Sequence, residues 1–145
     1  MPSLTGHKVL LAEDEFVVAW HLETVLEDAG AEVVVAATVD EATAAARDGI
    51  DCAVLDVSLL DGDVFPAADI LDERGVPFLF QSGHANIEGL KVRYPRSEAL
   101  SKPADAEVLV RCLARCIERG GGGGSGSASG TGTRGSGSDP DRTPA

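Results

Sequence analysis

Along residues 7 to 119, short apolar runs alternate with stretches of helical periodicity. The runs His7–Ala12, Glu32–Ala37, Cys52–Leu55, Phe78–Gln81 and Glu98–Leu100 read as strands. Val9-Leu10-Leu11 and Val33-Val34-Val35 are apolar without alternation, which predicts strands covered on both faces, as in a parallel sheet. In the first helix Val18, Leu22, Val25, Leu26 and Ala29 share a stripe, and Gly30 supplies the stop. Thr38 and Glu41 form a capping-box pattern that opens a second helix, which Gly49 closes. A third is expected from about Asp63 to Arg74. A short fourth, near Ile87 to Val92, is interrupted by Gly89 and followed by Pro95. The fifth carries Leu109, Cys112, Leu113, Cys116 and Ile117 at helical spacing after Pro103 and Asp105. Strand–helix alternation with short connections implies an α/β fold with a doubly wound parallel sheet.

In such sheets chemistry collects beyond the carboxyl ends of the strands. The polar residues just past these strands are Glu13-Asp14, Asp56, Ser82-Gly83 and Lys102-Pro103. Three carboxylates, a hydroxyl and an amine therefore converge on one crevice. Carboxylates crowded at one rim resist ionisation unless a cation lies between them. Mg²⁺ suits the set, because it takes one or two carboxylates and completes its shell with water and phosphate oxygens. With the metal on Asp14 and Asp56, the remaining Asp56 oxygen is free to attack phosphorus. Lys102 and the Ser82 hydroxyl would then cover the other phosphoryl oxygens, and Gly83 would leave room for the backbone to approach.

Charge agrees with this reading. The chain carries a net charge of −12 over 145 residues. In the last 26 residues Arg134 and Arg142 cancel Asp139 and Asp141, so the imbalance lies before Gly120. Such a domain repels nucleic acid and anionic lipid, and it suits divalent cations and basic partner surfaces. Residues 120–145 hold ten of the 17 glycines and no apolar side chain larger than alanine, so they are expected to form a disordered tail behind a domain spanning 1–119. Cys52, Cys112 and Cys116 are odd in number and lack further ligands at metal spacing, which makes them buried small hydrophobes. There is no apolar run of spanning length and no leader-like start, so a cytoplasmic location is expected.

Glu13-Asp14, the run Asp56-Val-Ser-Leu-Leu-Asp-Gly62, Ser82-Gly83 and Lys102-Pro103 resemble the receiver domains of two-component response regulators, of the stand-alone, chemotaxis-regulator-like kind. The resemblance spans residues 7 to 119, and its motifs follow at separations of 42, 26 and 20 residues. It implies a flavodoxin-like sheet in the strand order 2-1-3-4-5 with helices on both faces. It also implies that Asp56 is the phospho-acceptor and that Mg²⁺ is bound by Asp14 and Asp56 directly, by Glu13 through water and by the Ser58 backbone carbonyl. Ser82 would be the switch hydroxyl, and Lys102, before a proline whose peptide bond is usually cis, the phosphate-binding lysine. The stretch Pro77-Phe-Leu-Phe-Gln-Ser-Gly-His84 is similar to a narrower set of single-domain receivers with a Pro-Phe-x-Phe-x-Thr/Ser-Gly motif, whose partners are often histidine kinases of the HWE type. The implied partners are a histidine kinase or a histidine phosphotransfer protein, with neither nucleic acid nor membrane involved.

Two positions depart from the family. Three residues before the lysine, where Tyr or Phe is usual, stands Ala99, and the Met-Pro common after the acceptor is Leu59-Leu60. The usual hydroxyl–aromatic coupling therefore lacks its aromatic, and ordering of the fourth helix is an alternative switch. Nothing in the sequence gives Tyr94 that role. His84 could tune hydrolysis or be a loop residue; His7 and His21 read as structural or solvated. Trp20 reads as a helix-surface residue or a partner anchor.

No output domain follows residue 119, so the effect is expected through binding, relay or a phosphate sink. The enzymatic alternative is a small Mg²⁺-dependent aspartate-nucleophile phosphatase. Such enzymes place a second Asp two residues on as general acid, where this chain has Ser58. The acids after the first strand and the absence of a Gly-x-Gly-x-x-Gly turn there argue strongly against a third class, nucleotide binding.

Overall fold

The computed structural model describes residues 3–83 and 87–124. Its elements, in chain order, are β1 (Lys8–Ala12), α1 (Phe16–Asp28), β2 (Glu32–Ala36), α2 (Val39–Ala46), β3 (Cys52–Asp56), β4 (Ser58–Leu59), β5 (Gly62–Asp63), α3 (Phe65–Glu73), β6 (Phe78–Ser82), α4 (Ile87–Arg93), β7 (Glu98–Ser101) and α5 (Ala106–Gly124). Five strands form one sheet in the order β2-β1-β3-β6-β7, with every pairing parallel. This is the expected 2-1-3-4-5 order. The counting differs only because two short strands, β4 and β5, pair antiparallel in the turn after β3.

Alternation along the parallel strands divides the core in two. Leu10, Ala12, Ala53, Leu55, Phe78 and Phe80 point toward α2, α3 and α4, where Ala42, Ala46, Ala67, Ala68, Leu71 and Leu90 meet them. Val9, Leu11, Cys52, Val54 and Leu79 point the other way, against Leu22 and Leu26 of α1 and Leu109, Cys112 and Leu113 of α5. All three cysteines are free and buried. Burial in a leucine-rich layer pushes the Cys52 thiol up to about 12, with the Asp51 charge adding to the effect.

Local signals act as the sequence implies. The Thr38 hydroxyl accepts from the Glu41 N–H at 3.1 Å, and the Glu41 carboxylate accepts from the Ala37 N–H at 2.8 Å. Gly30 ends α1 at φ +102°, where a Cβ would also strike Thr5, so no other residue fits. Two boundaries differ from expectation. Helix α3 begins at Phe65 rather than Asp63, because Gly62 and Asp63 are consumed by the β4–β5 pairing and Pro66 suits the first turn. Helix α5 continues to Gly124, five residues past Arg119. The remainder of the glycine-rich segment and His84 lie outside the described residues. Among the described residues no helix is long and apolar enough to cross a membrane.

Candidate functional site

The site lies where β1, β3 and β6 end together. Ala12, Leu55 and Phe80 occupy one row across these strands, so Glu13, Asp56 and Gln81 form the next. A parallel register gives neighbours in a row the same facing, and each step along the strand inverts it. The position after an apolar row is thus a polar row at the mouth of the sheet.

Asp56 is buried, at 7% exposure. Its Oδ2 accepts from the Lys102 ammonium at 2.8 Å, and its Oδ1 accepts from the Ser58 N–H at a long 3.4 Å. Lys102 Nζ also lies 3.1 Å from Glu13 Oε1, so one ammonium bridges two carboxylates. Glu13 is 1% exposed, and its other oxygen accepts from the Glu15 N–H at 3.1 Å. Burial holds the Glu13 carboxyl above its usual range against the opposing pull of the Glu15 N–H and Lys102, and the nearby Asp56 charge raises it further. For Lys102, burial acts to lower the ammonium pKa, but hydrogen bonding to Asp56 and Glu13 outweighs it and the net shift is upward.

Asp14, half-buried, completes the acidic group. Glu13, Asp14 and Asp56 each offer an oxygen, and these oxygens lie within 4.8 Å of one another. Three carboxylates and a single ammonium leave uncompensated negative charge, and the donor set is all oxygen, which fits a hard divalent cation. Lys102 is delivered from the far edge of the sheet: its N–H donates to the Ser82 carbonyl at 2.9 Å, and the Lys102–Pro103 peptide is cis. The register pairs Ser82 with Ser101, the residue before the lysine. Glu13, Asp14, Asp56 and Lys102 thus meet directly, with Ser82 at the adjoining strand end. Ser58 follows in β4, paired with Asp63.

Sequence reasoning missed two features here. Gln81 is a polar side chain buried at 2% exposure, hidden by its place inside an apolar run. Tyr94 is buried, its ring 5.3 Å from Phe80, 5.6 Å from Phe78 and 6.1 Å from Phe65, and its hydroxyl donates to Asp69 at 2.6 Å. Ala99, at the position where the expected aromatic is lacking, packs against this cluster half-buried. The distance from Pro95 along the chain gives no sign that Tyr94 turns inward. Trp20 is 64% exposed, as a surface residue of α1.

No protein-family model and no curated protein sequence matches the chain. Solved structures do. A response regulator receiver protein from Sinorhizobium medicae is 27% identical with a TM-score of 0.74, covering 82% of this chain and 100% of that one. The non-phosphorylated HemR receiver domain from Leptospira biflexa is 30% identical with a TM-score of 0.68, covering 77% of this chain and 94% of that one. The receiver domain of a sensor histidine kinase from Pseudomonas aeruginosa, with a magnesium ion coordinated in its active-site cleft, is 26% identical with a TM-score of 0.68, covering 78% and 98%.

Proposed function

Because the chain belongs to the receiver-domain family of response regulators, we propose that it accepts a phosphoryl group on Asp56 from a histidine kinase and signals through the resulting change of shape. The observation that carries this reading is the buried Asp56 carboxylate, 2.8 Å from Lys102 and within 4.8 Å of the Glu13 and Asp14 oxygens. An Asp56 oxygen attacks phosphorus, the bond from phosphorus to the donor's imidazole nitrogen breaks, and its electron pair leaves with that nitrogen. Lys102 holds Asp56 oriented beforehand and then meets the incoming phosphoryl oxygens as a point charge. Ser82, at the end of β6, is the hydroxyl that follows the phosphoryl group. Mg²⁺, held by Glu13, Asp14, Asp56 and the Ser58 backbone carbonyl, would supply the positive charge that lets the carboxylates and the phosphoryl oxygens share this rim.

The domain assignment, 1–119 with a glycine-rich tail at 120–145, belongs to the same proposal. So do a cytoplasmic location, a kinase of the HWE type or a histidine phosphotransfer protein as donor, and an effect by binding, relay or phosphate sink. The acidity of the chain speaks against nucleic acid and anionic membranes as partners. The protein is a phospho-acceptor and at most catalyses its own phosphorylation and dephosphorylation. Ser58 stands where an aspartate-nucleophile phosphatase would need its general acid, which disfavours turnover on free substrates.

The test is incubation with acetyl phosphate and Mg²⁺ followed by intact mass. Wild type gains one phosphoryl group, and Asp56→Asn gains none while keeping its fold; labelling that persists in the Asn variant moves the acceptor elsewhere. Millimolar Mg²⁺ should raise the Tm of wild type more than that of Asp14→Ala. Equal shifts count against the acidic group as the metal site.

A further inference from the structure

At the amino-terminal ends of β6 and β7, opposite the end that carries Asp56, lies a cavity of about 510 Å³. Small-molecule sites usually measure about 300–1,000 Å³. Three segments build it: the turn from α3 into β6, the turn from α4 into β7, and the late turns of α5. Its apolar wall is Val76, Pro77, Phe78, Pro95 and Cys116. Val76 and Pro77 are half-buried and Pro95 is exposed, so part of this wall faces solvent rather than other side chains. The Phe78 ring gives a flat aromatic guest an offset or edge-on partner, which adds to the gain from burial.

Charge decides what such a guest must carry. Arg96 and Arg119 line the same cavity, and both side chains are exposed. Arg96 donates from Nη2 to the Asp72 carboxylate at 2.9 Å and to the Asp72 carbonyl at 3.5 Å. Arg119 donates from Nη2 to the Glu98 carboxylate at 3.0 Å and to Cys116 Sγ at 3.6 Å. A guanidinium holds five N–H donors in a planar fork that matches a carboxylate. Among the described residues, the Nε and Nη1 donors of both arginines have no partner. Asp72 is the single carboxylate among the described residues that line the cavity, against two guanidiniums. One positive charge is left over, a local reversal of sign in a chain of net charge −12.

We propose that this cavity is a binding site for a small aromatic carboxylate. The ring lies on the wall formed by Val76, Pro77, Phe78 and Pro95, and the carboxylate accepts from the unused donors of Arg96 and Arg119. A bound acid would tie together the end of α3, the turn before β7 and α5, at the start of the strand that ends in Ser82. Neither the site nor its test depends on phosphorylation of Asp56.

The probe is cinnamate, titrated into the full chain at neutral pH and followed by backbone amide chemical shifts. Saturable shifts are expected to centre on Val76, Phe78, Ser97 and Cys116. Arg96→Gln and Arg119→Gln each remove one guanidinium from the rim. Each should weaken binding about tenfold, the effect of one hydrogen bond to a charged group. The free variants should keep the Tm of wild type, because exposed ion pairs contribute little to stability. Cinnamyl alcohol, which keeps the ring and lacks the charge, should also bind about tenfold more weakly or worse. No saturable shift up to the solubility limit of the acid, or shifts centred elsewhere, overturns the site. Equal binding of the alcohol and the acid overturns it too, as does wild-type affinity in either arginine variant.

Discussion

The two faces of the sheet are built from different materials. Toward α3 and α4 the aromatics gather: Phe80 and Tyr94 contact each other and both Phe65 and Phe78, and the Arg93 guanidinium lies 4.4 Å from the centre of the half-buried Phe65 ring. Toward α1 and α5 the described core holds leucines, valines and cysteines and no aromatic ring. It is this aliphatic face that the Glu13–Asp56–Gln81 row overlooks. The charged site thus sits above small, interchangeable packing, and the rigid rings occupy the opposite side, beneath Ser82 and beside Ala99. A receiver that lacks a large aromatic in its last strand has placed one instead at the end of α4. There Tyr94 is tied to α3 through Asp69.

Substitutions can break this division. The largest effect is expected for Phe80→Ala, which removes the ring central to the aromatic face. Unfolding in urea should show a loss of about 3–5 kcal/mol. The folded fraction of this variant should still label on Asp56 with acetyl phosphate, since the rings face away from the carboxylates. Loss of labelling in folded protein would mean that the two faces are not independent.

Next comes Tyr94→Phe, which keeps the ring and removes the hydrogen bond to Asp69. At neutral pH it should cost about 1 kcal/mol, because Asp69 is partly solvated and water replaces the donor. Burial, with the bond to Asp69 adding to it, holds the Tyr94 phenol above its ordinary value near 10. The folded state therefore keeps this proton longer than the unfolded chain does. Its contribution is complete below pH 10 and declines as pH rises past 10 toward the folded value. The stability difference between wild type and Tyr94→Phe should shrink over that window; a constant difference would refute the bond.

The smallest effect is expected at the rim. Arg93→Ala removes the cation over Phe65 and an exposed 3.5 Å pair with Asp69, for a loss of about 0.5–1 kcal/mol. A loss several times larger would make Arg93 part of the core of this face rather than its cover.

What could be read along the chain follows the same division. Strand runs, helix stripes, the Thr38–Glu41 cap and the four polar strand ends are local or depend on a fold rule, and the structure keeps them within a residue or two. The β4–β5 pairing was not legible, because Asp61 and Gly62 read as turn punctuation and two-residue strands leave no periodic trace. Gln81 was hidden for another reason. A glutamine within Phe-Leu-Phe-Gln reads as a strand end, and only the register across three strands sets it beside Asp56. Tyr94 required knowing which way a one-turn stretch after α4 points, a matter of tertiary packing that no spacing encodes.

Register also governs which length changes this fold will accept. Within Phe78–Ser82 a single added residue would exchange one covered face for the other at every later position, carrying the serine hydroxyl into the aliphatic layer and the glutamine amide among the rings. Insertions are therefore tolerable only outside the paired strand residues and the cap bonds that flank them, since even Pro77 accepts from the Ala53 N–H and Val76 donates to Leu71. Diverging relatives should keep every strand-to-motif count unchanged.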